Sequence, residues 1–347
     1  MTSPTEHMLE ALSLAKKGLL TTRPNPMVGC IITLDNKIIG RGWHKKAGDG
    51  HAEVNAIQDV FDNLGPQAQS SLERSEMYVT LEPCSTTGQT PPCSEAIKKH
   101  GIKKVYIASR DSSQNGFAKK EKDIEIVEGL LEVEARELNR GFFSRIEKNR
   151  PFVTAKMATG LDGGIALWSG ESKWITSEAS RDDVQLLRSH NQAIITGSGT
   201  ILNDNPMLTV RNKKLRSKPL RVVIDSNNSI TDKSLNIFSS DSETLILNKD
   251  NSKILENGKI DLELALKKIG DLGINNVLLE SGSGLNSAMM KSKLIDEFII
   301  YTAPVILGSD AQAMMELPFK KMSEKISLSI IEITQVATDL KIRAKPL

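Results

Sequence analysis

One imidazole, two thiols and a carboxylate stand at spacings that can hold a metal and work on water. The chain reads His51-Ala52-Glu53, then Leu81-Glu82-Pro83-Cys84, then Pro91-Pro92-Cys93. One histidine nitrogen and two thiolates suffice to bind zinc and leave its fourth position open. Zinc lowers the pKa of a water bound to it to about 7, so hydroxide is available at neutral pH. Glu53 is then left to take a proton from that water and to hand one to departing ammonia. This is the pattern of hydrolytic deamination at an aromatic carbon bearing an amine. The plainer reading is a structural zinc site, but such sites prefer four protein ligands and no fourth stands in the pattern. Cys30 lies in an apolar run and reads as core packing.

Those groups need elements to aim them. Ser3-Pro4-Thr5-Glu6 opens a helix with a serine N-cap, a proline in the first turn and a glutamate three residues on. Met8, Leu12 and Ala15 line one face and Gly18 closes it. Residues 28–33 and 37–40 flank Asp35-Asn36 and read as a hairpin. Residues 54–61 read as a helix with Val54, Ile57 and Phe61 inward, so His51 and Glu53 face one mouth at its start. Residues 77–81 form a strand that runs into Glu82-Pro83-Cys84, and Pro91-Pro92 starts a helix over 93–99. Both cysteines are therefore expected at helix N-termini, where the dipole favours thiolate. Residues 105–108 and 124–127 read as further buried strands.

The polar run Arg145-Ile146-Glu147-Lys148-Asn149-Arg150-Pro151 ends in a helix-stopping proline and marks a break, giving domains 1–146 and 147–347. Strands are expected at 152–158, 193–196, 220–224, 244–247, 277–279 and 298–302, with helices at 177–189 and 262–269. Alternating strands and helices in both halves predict an α/β fold. Gly197-Ser198-Gly199-Thr200 and Ser281-Gly282-Ser283-Gly284 each follow an apolar strand. Glycine there lets the backbone approach a pyrophosphate, and a following helix N-terminus favours anions. Neither turn is a full Rossmann fingerprint. Arg188 and Arg211 offer bidentate forks for a phosphate.

At 347 residues, 39% hydrophobic and 25% charged, the chain has room for two ordinary globular cores. A net charge of +2 gives no general pull toward nucleic acid or an acidic membrane. No segment has the length of a membrane span, and residues 1–20 lack the apolar run of a signal peptide. Three cysteines argue against a disulfide framework and for the cytoplasm.

Taken together, several motifs resemble one family. They are Pro24-Asn25-Pro26-Met27-Val28-Gly29-Cys30, Gly42-Trp43-His44, His51-Ala52-Glu53, Thr80-Leu81-Glu82-Pro83-Cys84-Ser85 and Thr90-Pro91-Pro92-Cys93. The second half adds Lys156-Met157-Ala158, Leu161-Asp162-Gly163, Ser169-Gly170-Glu171-Ser172-Lys173-Trp174-Ile175-Thr176 and Asp204-Asn205-Pro206. Leu208-Thr209-Val210-Arg211, Val277-Leu278-Leu279-Glu280-Ser281-Gly282-Ser283 and Ala303-Pro304-Val305-Ile306-Leu307-Gly308 continue it. Across nearly its whole length the chain is similar to the bifunctional pyrimidine deaminase–reductases of riboflavin biosynthesis.

The resemblance implies a cytidine-deaminase-like α/β/α sandwich followed by a dihydrofolate-reductase-like α/β domain. It implies deamination of a phosphoribosylated diaminopyrimidine, then NADPH reduction of the ribosyl group. His51, Cys84 and Cys93 match the ligands of one Zn2+ per chain, and Glu53 matches the proton donor and acceptor. Asn25 and His44 match substrate positions of the deaminase, and Ser172, Arg188, Leu208, Arg211 and Glu280 those of the reductase. Ala158, Trp174, Thr200, Asp204, Ser226, Gly282, Ser283 and Gly284 match cofactor positions, and Lys156 and Asp162 are implied as reductase-site residues. The family's reductase half commonly pairs, which implies a homodimer through residues 147–347. The chain departs from the family at Thr86, Gln89, Gly164 and in the segment 111–116. Gln89 stands where the family carries Lys or Arg, which removes a phosphate contact worth ~1.5–3 kcal/mol if hydrogen-bonded. Two other readings are a zinc deaminase of another substrate, including nucleic-acid bases, and a zinc ion that only holds the fold. Nucleic-acid deaminases show a tight Pro-Cys-x-x-Cys, whereas Cys84 and Cys93 are far apart, and an intact Glu53 disfavours a merely structural metal.

Overall fold

A computed structural model describes residues 3–86, 91–114, 116–117, 123–212 and 217–347. Gln89 and Asn115, two of the places where the chain departs from the family, lie outside the described residues. The chain divides into two compact units, Met1–Lys148 and Asn149–Leu347.

The first unit opens on the helix Pro4–Ala15, whose Ser3 and Glu6 form the expected capping box, with Glu6 Oε2 2.6 Å from the Ser3 backbone nitrogen. Its strands are β1 (Gly29–Leu34), β2 (Lys37–Trp43), β3 (Glu76–Leu81), β4 (Lys104–Ser109) and β5 (Glu125–Glu128), in the order β2-β1-β3-β4-β5. The β1–β2 hairpin turns at Asp35 and Asn36, both at positive φ (50° and 61°), as a tight two-residue turn requires. β1 is antiparallel to β3, while β3, β4 and β5 run parallel. Alternate residues of each central strand serve two cores. Cys30, Ile32, Met77, Val79, Val105 and Ile107 pack on one side, and Ile31, Tyr78 and Ala108 meet Met8, Ala11 and Leu12 on the other. β5 is an edge strand, only half covered, so the expectation that it is buried does not hold.

The helix Ala52–Leu64 lies against β2 so closely that a Cβ on Gly42 would stand 2.2 Å from Ala52 O and 2.3 Å from Ala56 N. Only small residues fit at that seam. The buried face is therefore Ala52, Glu53, Ala56, Ile57 and Val60. Val54, expected to point inward, is exposed, because the seam rather than the apolar spacing sets the helix's rotation. The helix Cys93–Lys99 starts where Pro91-Pro92 place it. The polar run expected to break the chain continues the helix Arg140–Lys148, and the chain turns just after it at Asn149, at φ 54°.

The second unit holds β6 (Phe152–Thr159), β7 (Gly164–Ala166), β8 (Ala193–Gly197), β9 (Leu220–Asp225), β10 (Thr244–Asn248), β11 (Asn276–Leu279), β12 (Glu297–Thr302), β13 (Gln312–Ala313), β14 (Leu328–Val336) and β15 (Asp339–Pro346). The main sheet, among the described residues, has the order β10-β9-β8-β11-β6-β12-β15-β14. From β10 to β12 the strands are parallel, and so read as near-continuous apolar runs. Helices Glu178–His190, Ser198–Asp204, Leu262–Asp271 and Ser283–Lys291 connect them. The terminal hairpin β14–β15, absent from the sequence reading, adds two antiparallel strands.

Candidate active sites

In the first unit the elements converge on the metal-ligand motif. His51 is the N-cap residue of the helix Ala52–Leu64, and Cys93 is the first residue of its own helix. Cys84 lies in the loop after β3 rather than in a helix, which corrects the expectation for that cysteine. The helix still reaches it, because the Cys93 backbone N–H donates to Cys84 Sγ at 3.2 Å. His51 Nδ1 is 3.2 Å from Cys93 Sγ and 3.4 Å from Cys84 Sγ, and the three ligand atoms lie within 4.8 Å of one another. The Cys93 thiol and amide bring Cys84 down to about 4, against the opposing effect of burial. The same hydrogen bond between the two side chains, with burial, pushes the Cys93 thiol up. Two soft sulfurs and an imidazole nitrogen at this spacing fit a tetrahedral zinc with one open position.

Glu53 is 3% exposed, and burial lifts its carboxyl to about 7. A carboxyl poised near neutrality can both take and give a proton. Asn25 and His44 stand beside the ligands. Asn25 Nδ2 lies 3.2 Å from His44 Nε2, and His44 Nδ1 is 3.3 Å from Gly50 O. The amide donates to Nε2, so Nδ1 carries the hydrogen and the ring is neutral. Burial also lowers the His44 pKa. The His44 ring meets the His51 ring edge-on at 5.4 Å.

Asn55, which the sequence reading passed over, donates to Trp43 O at 2.8 Å and Gly50 O at 3.0 Å, fixing the segment between His44 and His51. Its signal was only its place one turn after the ligand. In the segment that departs from the family, Gln114 accepts from Ser85 N at 3.0 Å and donates to Asp111 at 2.7 Å, which ties down the loop behind Cys84. Thr86 is exposed.

In the second unit a cavity of about 940 Å³ opens along the C-terminal ends of the parallel strands. Lys156, Ala158, Ser172, Trp174, Arg188 and Thr200 line it, as do Asp204, Leu208, Arg211, Ser226, Glu280, Gly282, Ser283 and Gly284. Asp162 does not. Its carboxylate accepts from the backbone N–H groups of Leu307 (2.7 Å) and Gly308 (2.9 Å). Arg188 binds Glu280 through both arms of its fork, at 2.6 and 3.0 Å, and its third arm reaches Thr209 O at 3.1 Å. That geometry turns the fork to a carboxylate rather than to a phosphate. Lys156 Nζ is 3.5 Å from the same carboxylate. Burial alone would raise Glu280, but the charges and hydrogen bonds of Arg188 and Lys156 outweigh it and hold it at about 2. Arg181 lies over the Trp174 ring at 4.4 Å, which steadies an indole that is 68% exposed. At Gly164 an added Cβ would stand 2.8 Å from the Ala311 side chain, so a larger residue there has no room.

Hydrolytic zinc chemistry in one unit and a dinucleotide-sized cavity in the other describe a deaminase fused to a reductase. Residues 1–109 match the model of the cytidine and deoxycytidylate deaminase zinc-binding region, and residues 151–342 match the RibD C-terminal domain. The chain belongs to the RibD family of riboflavin biosynthesis proteins. It is 40% identical over 373 residues to riboflavin biosynthesis protein RibD of Buchnera aphidicola subsp. Baizongia pistaciae (97% of this chain, 96% of that one). To the Escherichia coli K12 RibD it is 36% identical over 363 residues (96% and 97%). The solved Acinetobacter baumannii RibD matches with a TM-score of 0.87 at 36% identity, covering 99% of both chains. A Thermotoga maritima diaminohydroxyphosphoribosylaminopyrimidine deaminase/5-amino-6-(5-phosphoribosylamino)uracil reductase matches at 0.86 and 31% identity, again over 99% of both. The chain is thus a bifunctional deaminase and reductase of riboflavin biosynthesis, with the expected deaminase-like and dihydrofolate-reductase-like folds.

Proposed function

We propose that the first unit converts the 2-amino group of 2,5-diamino-6-(5-phosphoribosylamino)pyrimidin-4-one into a carbonyl. Water enters and ammonia leaves. The second unit then reduces the ribosyl group with NADPH to give 5-amino-6-(5-phosphoribitylamino)uracil. The observation that carries the deaminase half is the convergence of His51, Cys84 and Cys93, their ligand atoms within 4.8 Å of one another, with the buried Glu53 carboxyl two residues after His51. Zinc, when bound, supplies the Lewis acidity that makes water a nucleophile at neutral pH. Glu53 takes the water's proton and returns one to the amine nitrogen as it departs. His44, held by Gly50 O, fixes the Asn25 amide, which keeps its carbonyl oxygen and a second N–H for the pyrimidine.

Reduction of a ribosylamine to a ribitylamine needs a hydride at C1′ and a proton at O4′. Lys156, paired with Glu280, is the cavity's candidate proton source. Ser172, Arg188, Leu208, Arg211 and Glu280 are assigned to the substrate. Ala158, Trp174, Thr200, Asp204, Ser226, Gly282, Ser283 and Gly284 are assigned to NADPH. Their common place on the cavity wall supports this division. The deaminase domain is assigned to 1–146 and the reductase domain to 147–347.

The reductase unit pairs with a second copy. The exposed isoleucines of the edge strand β14 (Ile330, Ile331 and Ile333) support that reading. The enzyme works in the cytoplasm, a reading supported by three free cysteines, two of them metal ligands. Among the described residues no helix is long and apolar enough to cross a membrane. A Glu53→Gln variant tests the deaminase assignment. It should retain zinc and lose ammonia release by about 10²–10⁴-fold. Full ammonia release with zinc retained would remove Glu53 from the chemistry.

A further inference from the structure

The cavity of the second unit crosses four parallel strands whose C-terminal ends share one edge, in the order β9, β8, β11, β6. Lys156 and Ala158 of β6 hold one end, and the Gly197 and Gly282 turns after β8 and β11 hold the middle. Three strand spacings away, roughly 14 Å, lie Ser226 and Asn227, just after β9. A dinucleotide that reacts at the β6 end and crosses the glycine turns with its pyrophosphate would reach the β9 end with its adenosine ribose.

The acid at that end is not available to a ribose diol. Asp225 is buried, and its carboxylate accepts from Ser229 N (3.0 Å), Ser229 Oγ (2.7 Å) and Ile230 N (2.9 Å). The carboxylates that line the cavity, among the described residues, are Asp204, at the end of the helix after β8, and Glu280, after β11 and paired with Arg188 and Lys156. What lines the β9 end is Lys259. Its backbone is fixed. The Lys259 N–H donates to Asn257 Oδ1 at 3.0 Å, and Lys259 O accepts from Leu255 N at 2.8 Å. The next residue ties this turn to β9, because the Ile260 N–H donates to Ser226 Oγ at 3.2 Å. That bond occupies an acceptor position of the hydroxyl and leaves its hydrogen to donate elsewhere. Lys259 Nζ makes no ion pair among the described residues.

We propose that Lys259, with Ser226 and Asn227, binds the 2′-phosphate of the coenzyme and sets its preference for NADPH over NADH. The proposal rests on the assignment of this cavity to a nicotinamide dinucleotide. An ammonium, a hydroxyl hydrogen and an amide supply donors for a phosphate dianion. The same trio has no carboxylate with which to hold a free 2′-hydroxyl. Lys259 has no part in the reduction itself, since it stands at the far end from Lys156.

Calorimetric titration of the full-length zinc-loaded chain with 2′,5′-ADP and with 5′-AMP separates the two ideas. The wild-type chain should bind 2′,5′-ADP roughly tenfold or more tightly than 5′-AMP. Lys259→Ala should lose that advantage with the 5′-AMP affinity unchanged, and Lys259→Arg should restore most of it. Equal wild-type affinities, or a Lys259→Ala preference like the wild type's, would overturn the proposal while leaving the dinucleotide site in place. A wild-type chain that binds neither nucleotide nor NADP+ would overturn the dinucleotide assignment and this proposal together.

Discussion

Glu280 shows how much one side chain can hold in place. It is 9% exposed and is held between Arg188 and Lys156. Glu280→Gln keeps the shape and leaves two cations without their counter-charge, which should destabilise the folded chain by about 3–5 kcal/mol at pH 7. Its folded pKa of about 2 lies below the ordinary 4.5. A lowered carboxylate stabilises fully above its unfolded pKa and loses that contribution as pH falls through its folded one. The gap in urea midpoint between wild type and Glu280→Gln should therefore be full above pH 4.5 and close toward pH 2. Equal midpoints at pH 7 would show that the pair contributes nothing. His51, Glu53, Cys84 and Cys93 were readable in the sequence because metal chemistry dictates residue types. Asn55 was not, and Asp162 was read into the reductase site although it holds a loop outside the cavity, because their partners are backbone atoms that only the fold brings near.

Strands buried on both faces announce themselves as apolar runs, which is why β6, β8, β9, β11 and β12 were readable. β14 and β15 were not. Glu332, Thr334, Lys341, Arg343 and Lys345 interrupt their apolar residues, and a β-bulge between Ile330 and Glu332 breaks the alternation. The helix Ala52–Leu64 was found with Ile57 and Phe61 inward as expected and Val54 turned out, since the seam at Gly42 sets its rotation. That seam predicts a variant. Gly42→Ala drives a Cβ into Ala52 O and Ala56 N and must push the helix bearing His51 and Glu53 off β2. Overpacking of this kind costs about 1–3 kcal/mol. Competition with a chelator should show zinc affinity reduced by roughly tenfold or more, within the range for disturbed outer-shell support. Unchanged affinity would mean that the ligand cluster is indifferent to the helix's seat.

Two sites on one chain make two products, and each unit has its own core and its own chemistry. The division was visible in the sequence as a polar run before Pro151, though the helix Arg140–Lys148 carries that run. The proposed pairing through β14 predicts that Ile330→Lys with Ile333→Lys, two charges on an apolar edge, shifts sedimentation from dimer to monomer. A wild-type chain that sediments as a monomer at micromolar concentration would rule the pairing out. The most direct test of the whole is a single coupled assay with the diaminopyrimidine phosphoribosyl substrate, following ammonia and NADPH separately. Ammonia should appear first, and one NADPH should be oxidised for each ammonia released. NADPH oxidation without ammonia, or no ammonia from a chain carrying one zinc, would contradict it.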